Sequence, residues 1–161
     1  MDLLPPRWAD VTDEITELLA SIAHQIHALD RLHQKHILPA FNDDEAKREE
    51  EGQIEQLTQT ITRSFHQCQK AIKRIEAMLA DAHRPGAKPG SGMSRAEEQM
   101  ARNIQVSLAS RVQEASAGFR KKQSAYLKSM SAVRTLGFAL FGERWASRLP
   151  ELQRLSSLPF D

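Results

Sequence analysis

A chain of 161 residues, 40% of them hydrophobic and only one a cysteine, can bury a core without disulfides or metals. Its 22 Lys and Arg nearly balance 21 Asp and Glu, so a net charge of +1 supplies no global field toward nucleic acid or an anionic membrane. The lone cysteine excludes an intrachain disulfide and suits the cytosol. Nothing in Met1–Pro6 has the basic start and apolar run of a secretory signal, and no stretch reaches the 18 or so apolar residues of a bilayer span, which predicts a soluble chain.

Strand formers are sparse, while Ala, Leu, Glu, Gln, Lys and Arg dominate, so the composition predicts mostly helix. Pro5 and Pro6 remove backbone donors and keep the first residues extended. A first helix is expected from about residue 10 to 37, with Asp10 as its N-cap and Trp8 packed on its first turns. Val11, Ile15, Leu18, Ile22, Leu29 and Leu32 recur at helical spacing along it, and Pro39 ends it. Asp43, Asp44, Glu45, Glu49, Glu50 and Glu51 form an acidic cluster, read as a solvated connector leading into the next helix.

The second helix is expected over about 47–81, with Ile54, Leu57, Ile61, Phe65, Cys68, Ile72, Ile75 and Leu79 on one stripe. On that stripe Cys68 is a small buried hydrophobe. Residues 81–92 hold Pro85, Gly86, Pro89, Gly90 and Gly92 and read as the clearest loop. Ser94 and Glu97 then have the spacing of a capping box. They open a third helix to about 133, with Met100, Ile104, Leu108, Val112, Ala115, Phe119, Tyr126, Met130 and Val133 inward. Three long amphipathic helices with one stripe each predict an all-α fold, an antiparallel up-down-up three-helix bundle over 1–134. Residues 135–161 change character: the short apolar run Leu136–Phe141 leads to a divergent tail, short-helical or irregular, with a candidate helical turn near Glu143–Arg148.

The side chains that carry chemistry do not assemble into a catalytic pattern. His24 and His27, and again His33 and His36, stand three apart on a helix, but lack the third ligand and glutamate of a zinc motif. These histidines read as scattered on a polar face. His66 and Cys68, two apart, point to different sides of a helix and cannot form a nucleophile–base dyad. The loop glycines lack the Gly-Lys-Ser/Thr ending of a phosphate cradle. The chain is therefore read as a non-enzyme with no cofactor and no metal.

What remains is basic surface: Arg63, Lys70, Lys73 and Arg74 on the second helix, and Arg120, Lys121, Lys122 and Lys128 on the third. No exposed aromatics are interleaved, so nucleic acid gains no support. A solvated face or a seat for an acidic partner helix accounts for the charge. Arg63, His66, Lys70 and Arg74 are the candidate partner-binding residues, flanking a groove between the second and third helices where a fourth helix docks. The alternative is a membrane-surface or lipid-binding bundle that uses the basic strips and the apolar tail.

The wording of several blocks goes further than their periodicity. Leu57-Thr58-Gln59-Thr60-Ile61-Thr62-Arg63-Ser64-Phe65-His66-Gln67-Cys68-Gln69-Lys70-Ala71-Ile72 resembles the second helix of the N-terminal regulatory domain in syntaxins of the syntaxin-16-like group. Leu4-Pro5-Pro6-Arg7-Trp8-Ala9-Asp10-Val11-Thr12-Asp13-Glu14 resembles the entry to its first helix, and Leu32-His33-Gln34-Lys35-His36 the end of it. Ser107-Leu108-Ala109 and Phe119-Arg120-Lys121-Lys122-Gln123-Ser124-Ala125-Tyr126-Leu127-Lys128 are similar to its third.

The resemblance covers residues 4 to about 130. It implies the three-helix regulatory (Habc) domain of a target-membrane Qa-SNARE, acting in fusion of endosome-derived vesicles with the trans-Golgi network. It further implies an SM-family regulator and cognate SNARE helices, of its own or partner chains, as binding partners. It places the full-length family on the cytoplasmic face of Golgi and endosomal membranes. Residues 135–161 carry neither a SNARE heptad array nor an anchor. The expectation is therefore a chain truncated before both, through a shortened form or a misplaced gene end.

Overall fold

The computed structural model describes residues 8–38, 44–83 and 93–141. They form three helices, α1 (Ala9–Ile37), α2 (Asp44–Ala82) and α3 (Arg95–Phe141), with no strand among the described residues. The expected helical turn near Glu143–Arg148 lies outside them.

Each helix starts where its local chemistry permits. Trp8, not Asp10, occupies the N-cap of α1, because its carbonyl accepts the first helical bond from the Thr12 amide at 3.0 Å. Trp8 is buried and the N-cap falls two residues earlier than expected, leaving Asp10 in the first turn, where its charge suits the helix dipole. The α2 helix begins at Asp44, so most of the expected connector is its first two turns, with Asp44 and Glu45 at the positive end of the dipole. The capping box of α3 is present in both directions. The Ser94 amide donates to Glu97 at 2.7 Å, and the Glu97 amide donates to the Ser94 hydroxyl at 3.2 Å. The Ser94 amide, helped by the Ser94 hydroxyl, holds the Glu97 carboxyl below the usual carboxylate range. At its far end α3 continues through the apolar run to Phe141, eight residues past Val133.

The chain divides into two compact units, each built from a piece of every helix. The first combines the described residues up to Ile26 with Thr60–Ala117. Here the N-terminal part of α1 runs beside the C-terminal part of α2 and the N-terminal part of α3, the up-down-up order expected. Arg74 pairs with Glu14 across α1 and α2. Gln105 donates to Glu76 at 2.8 Å, and His83 lies 3.2 Å from Glu98, across α2 and α3. Val11, Ile15, Ile22, Ile61, Phe65, Cys68, Ala71, Ile75, Leu108 and Val112 are buried there, close to the predicted stripes. Ala101 takes the inward place expected of Met100, which is 54% exposed.

The second unit combines His27–Gln59 with the residues from Gly118 on, again with α2 antiparallel to α1 and α3. Leu29, Ile54 and Phe119 supply its apolar core, but His33, His36, Glu50 and Thr58 are buried with them. The expectation of a polar face with scattered histidines fails at these two positions. His33 lies five helical turns after Ile15 and so falls on the same inward stripe. The connector reading of the acidic cluster fails too, at Glu50, which is 7% exposed.

Candidate functional site

The sequence-predicted partner surface lies on α2. At 100° per residue, Arg63, His66, Lys70 and Arg74 share one face, diametrically across the helix from Ile61, Phe65, Cys68 and Ile75. All four are exposed while the opposing four are buried. Gln105 and Glu76 meet across α2 and α3 on another side of the helix, and the four residues lie on the outer face of α2. Arg74 turns toward α1 to pair with Glu14. His66 Nδ1 and Gln69 Oε1 lie 3.3 Å apart along the same surface. From Thr58 to Ile75 the helix has no acidic residue, and from Arg63 to Arg74 this face presents hydrogen-bond donors over about three turns. Such a face favours carboxylate-bearing partners and sets their approach more than their final affinity.

The Cys68 thiol is fully buried, and burial pushes it up to about 11, so it is a packed hydrophobe and a poor nucleophile. His66, exposed on the other side of α2, cannot reach it. Among the described residues no group of three or more potential metal ligands converges. No helix among them is long and apolar enough to cross a membrane.

Sequence reasoning missed a second constellation, in the unit containing the end of α1 and the start of α2. The ring of His33 stacks face to face on Tyr126 of α3, with centroids 3.7 Å apart and planes 6° from parallel. His36 Nδ1 lies 2.8 Å from the Tyr126 hydroxyl, and its Nε2 lies 3.3 Å from Glu51. A neutral His36 satisfies both contacts at once: the tyrosine hydroxyl donates to Nδ1, and Nε2–H donates to the carboxylate. Below this stack Lys47 points into the C-terminus of α1. Its ammonium donates to the carbonyls of His36 at 2.9 Å and Leu38 at 3.0 Å. Lys47 and Lys35 also grip the buried Glu50, at 3.3 and 3.1 Å. Burial alone drives the Glu50 carboxyl upward, but the two lysines outweigh it and hold the group below its ordinary range.

Burial pushes His33 down to about 4; Asp30 opposes the shift, and His36 and Lys122 reinforce it. Burial likewise lowers His36, against the attraction of Glu51 and with the help of Lys47. Burial raises the Tyr126 phenol, and Glu51 and Glu50 add to the effect. The signal in the sequence was spacing: Ile22, Leu29, His33 and His36 continue one stripe at intervals of seven, four and three. A count restricted to apolar residues stops at Leu32.

Known proteins resemble this chain across most of its length. It is 42% identical over 133 residues to the t-SNARE affecting a late Golgi compartment protein 2 of Schizosaccharomyces pombe, which is 83% of this chain and 40% of that protein. It is 36% identical over 126 residues to human syntaxin-16, covering 78% of this chain and 35% of the relative. Syntaxin-43 of Arabidopsis thaliana is 33% identical over 127 residues, 79% of this chain and 33% of its own. The matched segment thus spans a third to two fifths of the length of these relatives. No family-wide profile and no solved structure matches the chain. Agreement with fungal, human and plant proteins of one kind, on a chain that folds as three antiparallel helices, has one reading: the chain belongs to the syntaxin-16-like group of the syntaxin family, the Qa-SNAREs.

Proposed function

We propose that this chain is the three-helix regulatory domain of a syntaxin-16-like target-membrane SNARE, serving traffic from endosomes to the trans-Golgi network. It acts by binding an SM-family regulator or a SNARE helix, of its own chain or a partner's, and thereby controls when the fusion complex assembles. The observation that carries this reading is the likeness to SNARE proteins over about four fifths of a chain that folds as three long helices. The outer face of α2, with Arg63, His66, Lys70 and Arg74, is the proposed contact, since its cations favour the carboxylates of an approaching helix.

Isothermal titration tests the proposal directly. The chain is titrated with a purified SM-family regulator and, separately, with a peptide of a syntaxin-16-like SNARE helix. Binding to at least one is expected, weakening with salt and falling tenfold or more when Arg63→Glu and Lys70→Glu are combined. Silence toward both proteins counts against the regulatory assignment. Binding that ignores the double reversal moves the contact off α2.

A further inference from the structure

Polar burial is unevenly shared between the two units. Among the described residues, Ser64 is the only polar side chain buried in the first unit, whereas the second buries His33, His36, Glu50 and Thr58. The C-terminal part of α3 is therefore held to α1 and α2 through titratable groups, with Tyr126 at their centre.

We propose that the His33–Tyr126–His36 stack is a proton-operated latch: protonation of the two imidazoles releases the part of α3 beyond Gly118 from the α1–α2 hairpin, while the unit around Ile15, Phe65 and Val112 stays folded. The inference does not depend on the regulatory role proposed above.

The hydrogen-bond geometry supplies the trigger. In the neutral arrangement His36 Nδ1 is the acceptor for the buried Tyr126 hydroxyl. A proton on Nδ1 turns that acceptor into a donor; the tyrosine oxygen can accept from it only by turning its own hydrogen away, and that hydrogen must find another partner inside the fold. His33 meets a different obstacle, because its charge would arise on a buried ring pressed against Tyr126.

Every helix contributes charge around the stack. From α1, Asp30 attracts a protonated His33, but it is already ion-paired to Lys122 of α3. From α2, Glu51 attracts a protonated His36 while Lys47 repels it, and Glu50 is occupied by Lys35 and Lys47. The attraction of an imidazolium for the tyrosine face recovers part of the cost and not all of it. The balance of these groups keeps both histidines neutral in the closed form, consistent with the lowered values of both.

Opening restores both imidazoles to water, where they titrate near 6.5. A proton taken up only in the open form pulls the equilibrium toward it, so opening is favoured as pH falls below that value and closure is fully favoured above it. At pH 5 the open state gains about 30-fold from His33 alone, and more when His36 is included.

Hydrogen exchange at pH 7.5 and pH 5.0, corrected for intrinsic rates, tests the latch on the whole chain. Amides of 27–37 and 118–133 should lose at least tenfold protection at pH 5.0, while those of 61–79 and 101–115 keep theirs. The double variant His33→Phe, His36→Gln keeps a ring on Tyr126 and an amide between Tyr126 and Glu51, and should abolish the difference. The latch is overturned if both units lose protection together, or if the variant opens as readily as the parent, which would shift the cause to Asp30, Glu50 and Glu51. Should the variant not fold at neutral pH, imidazole NMR of the parent decides. His33 and His36 must take up protons at the pH where protection of their unit falls; either ring titrating near 6.5 with that protection unchanged refutes the idea.

Discussion

Lys47 is a surface residue type put to interior use. Its side chain is 13% exposed, and its ammonium bonds α1's terminal carbonyls and the Glu50 carboxylate. The α1 C-terminus thus receives a cation from the next helix, where a Lys or Arg of its own last turn is the usual source. Lys47→Met removes the charge and keeps most of the volume. The expected loss is about 1.5–3 kcal/mol, since hydrogen bonds to charged groups are lost and buried Glu50 keeps only Lys35. Urea unfolding measures it. Adding Glu50→Gln should recover part of the loss, because the stranded carboxylate is then neutral. The apolar core sets a second scale: Ile61, with no exposed area, should cost about 2–5 kcal/mol as Ile61→Ala. Residue by residue, this inventory was half legible in advance. Ile15, Ile22, Ile61, Phe65, Leu108 and Phe119 announce themselves by letter and spacing. His33, His36, Lys47 and Glu50 do not, because a polar residue reveals its burial only through its partners, which lie as far as 93 positions away for His33 and Tyr126.

At the scale of elements, local chemistry was read well where the signal is local and poorly where a partner decides. Ser94 and Glu97 satisfy each other within one turn, so the start of α3 could be named from four residues. The start of α2 could not. An acidic run resembles a solvated connector until Lys35 and Lys47 are placed beside Glu50, and then the same acids become a helix terminus with one side inward. Glycine positions show what the helices still lack. Gly52 and Gly118 sit in the interiors of α2 and α3, exposed, and a methyl group at either would meet no atom within 4 Å. Gly52→Ala and Gly118→Ala should each stabilise the chain by about 0.5–1 kcal/mol, through helix propensity and a less disordered unfolded state. Ser94→Ala runs the other way, with an expected cost of about 0.5–2 kcal/mol. Thermal denaturation of the three single variants and the double alanine variant checks the signs and the additivity together.

Across the whole molecule, the buried titratable groups define a pH window, and its two limbs have different owners. On the acid side His33 is neutral in the fold down to about 4 but protonates near 6.5 when unfolded, so the unfolded chain binds the extra proton between those values. Stability is fully present above about 6.5 and declines as pH falls toward 4, with a slope of up to about 1.4 kcal/mol per pH unit for each histidine held neutral. Glu50 adds a loss of the same sign further down, since its folded value lies below the ordinary one. On the alkaline side the sign reverses. Burial raises the Cys68 thiol from 9.0 to about 11 and lifts the Tyr126 phenol as well, so the fold retains protons that the unfolded chain has released. Stability should be level from about pH 7 to 8.5, then fall as pH rises from about 9 to 11. Cys68 belongs to the first unit and Tyr126 to the second, so both units feel the alkaline limb, whereas the histidine part of the acid limb arises in the second unit alone. Guanidinium unfolding at half-unit pH steps should show this plateau with both shoulders. In Cys68→Ala the alkaline shoulder should shrink while the acid one is unchanged; a shoulder that persists in full would assign the alkaline loss to Tyr126.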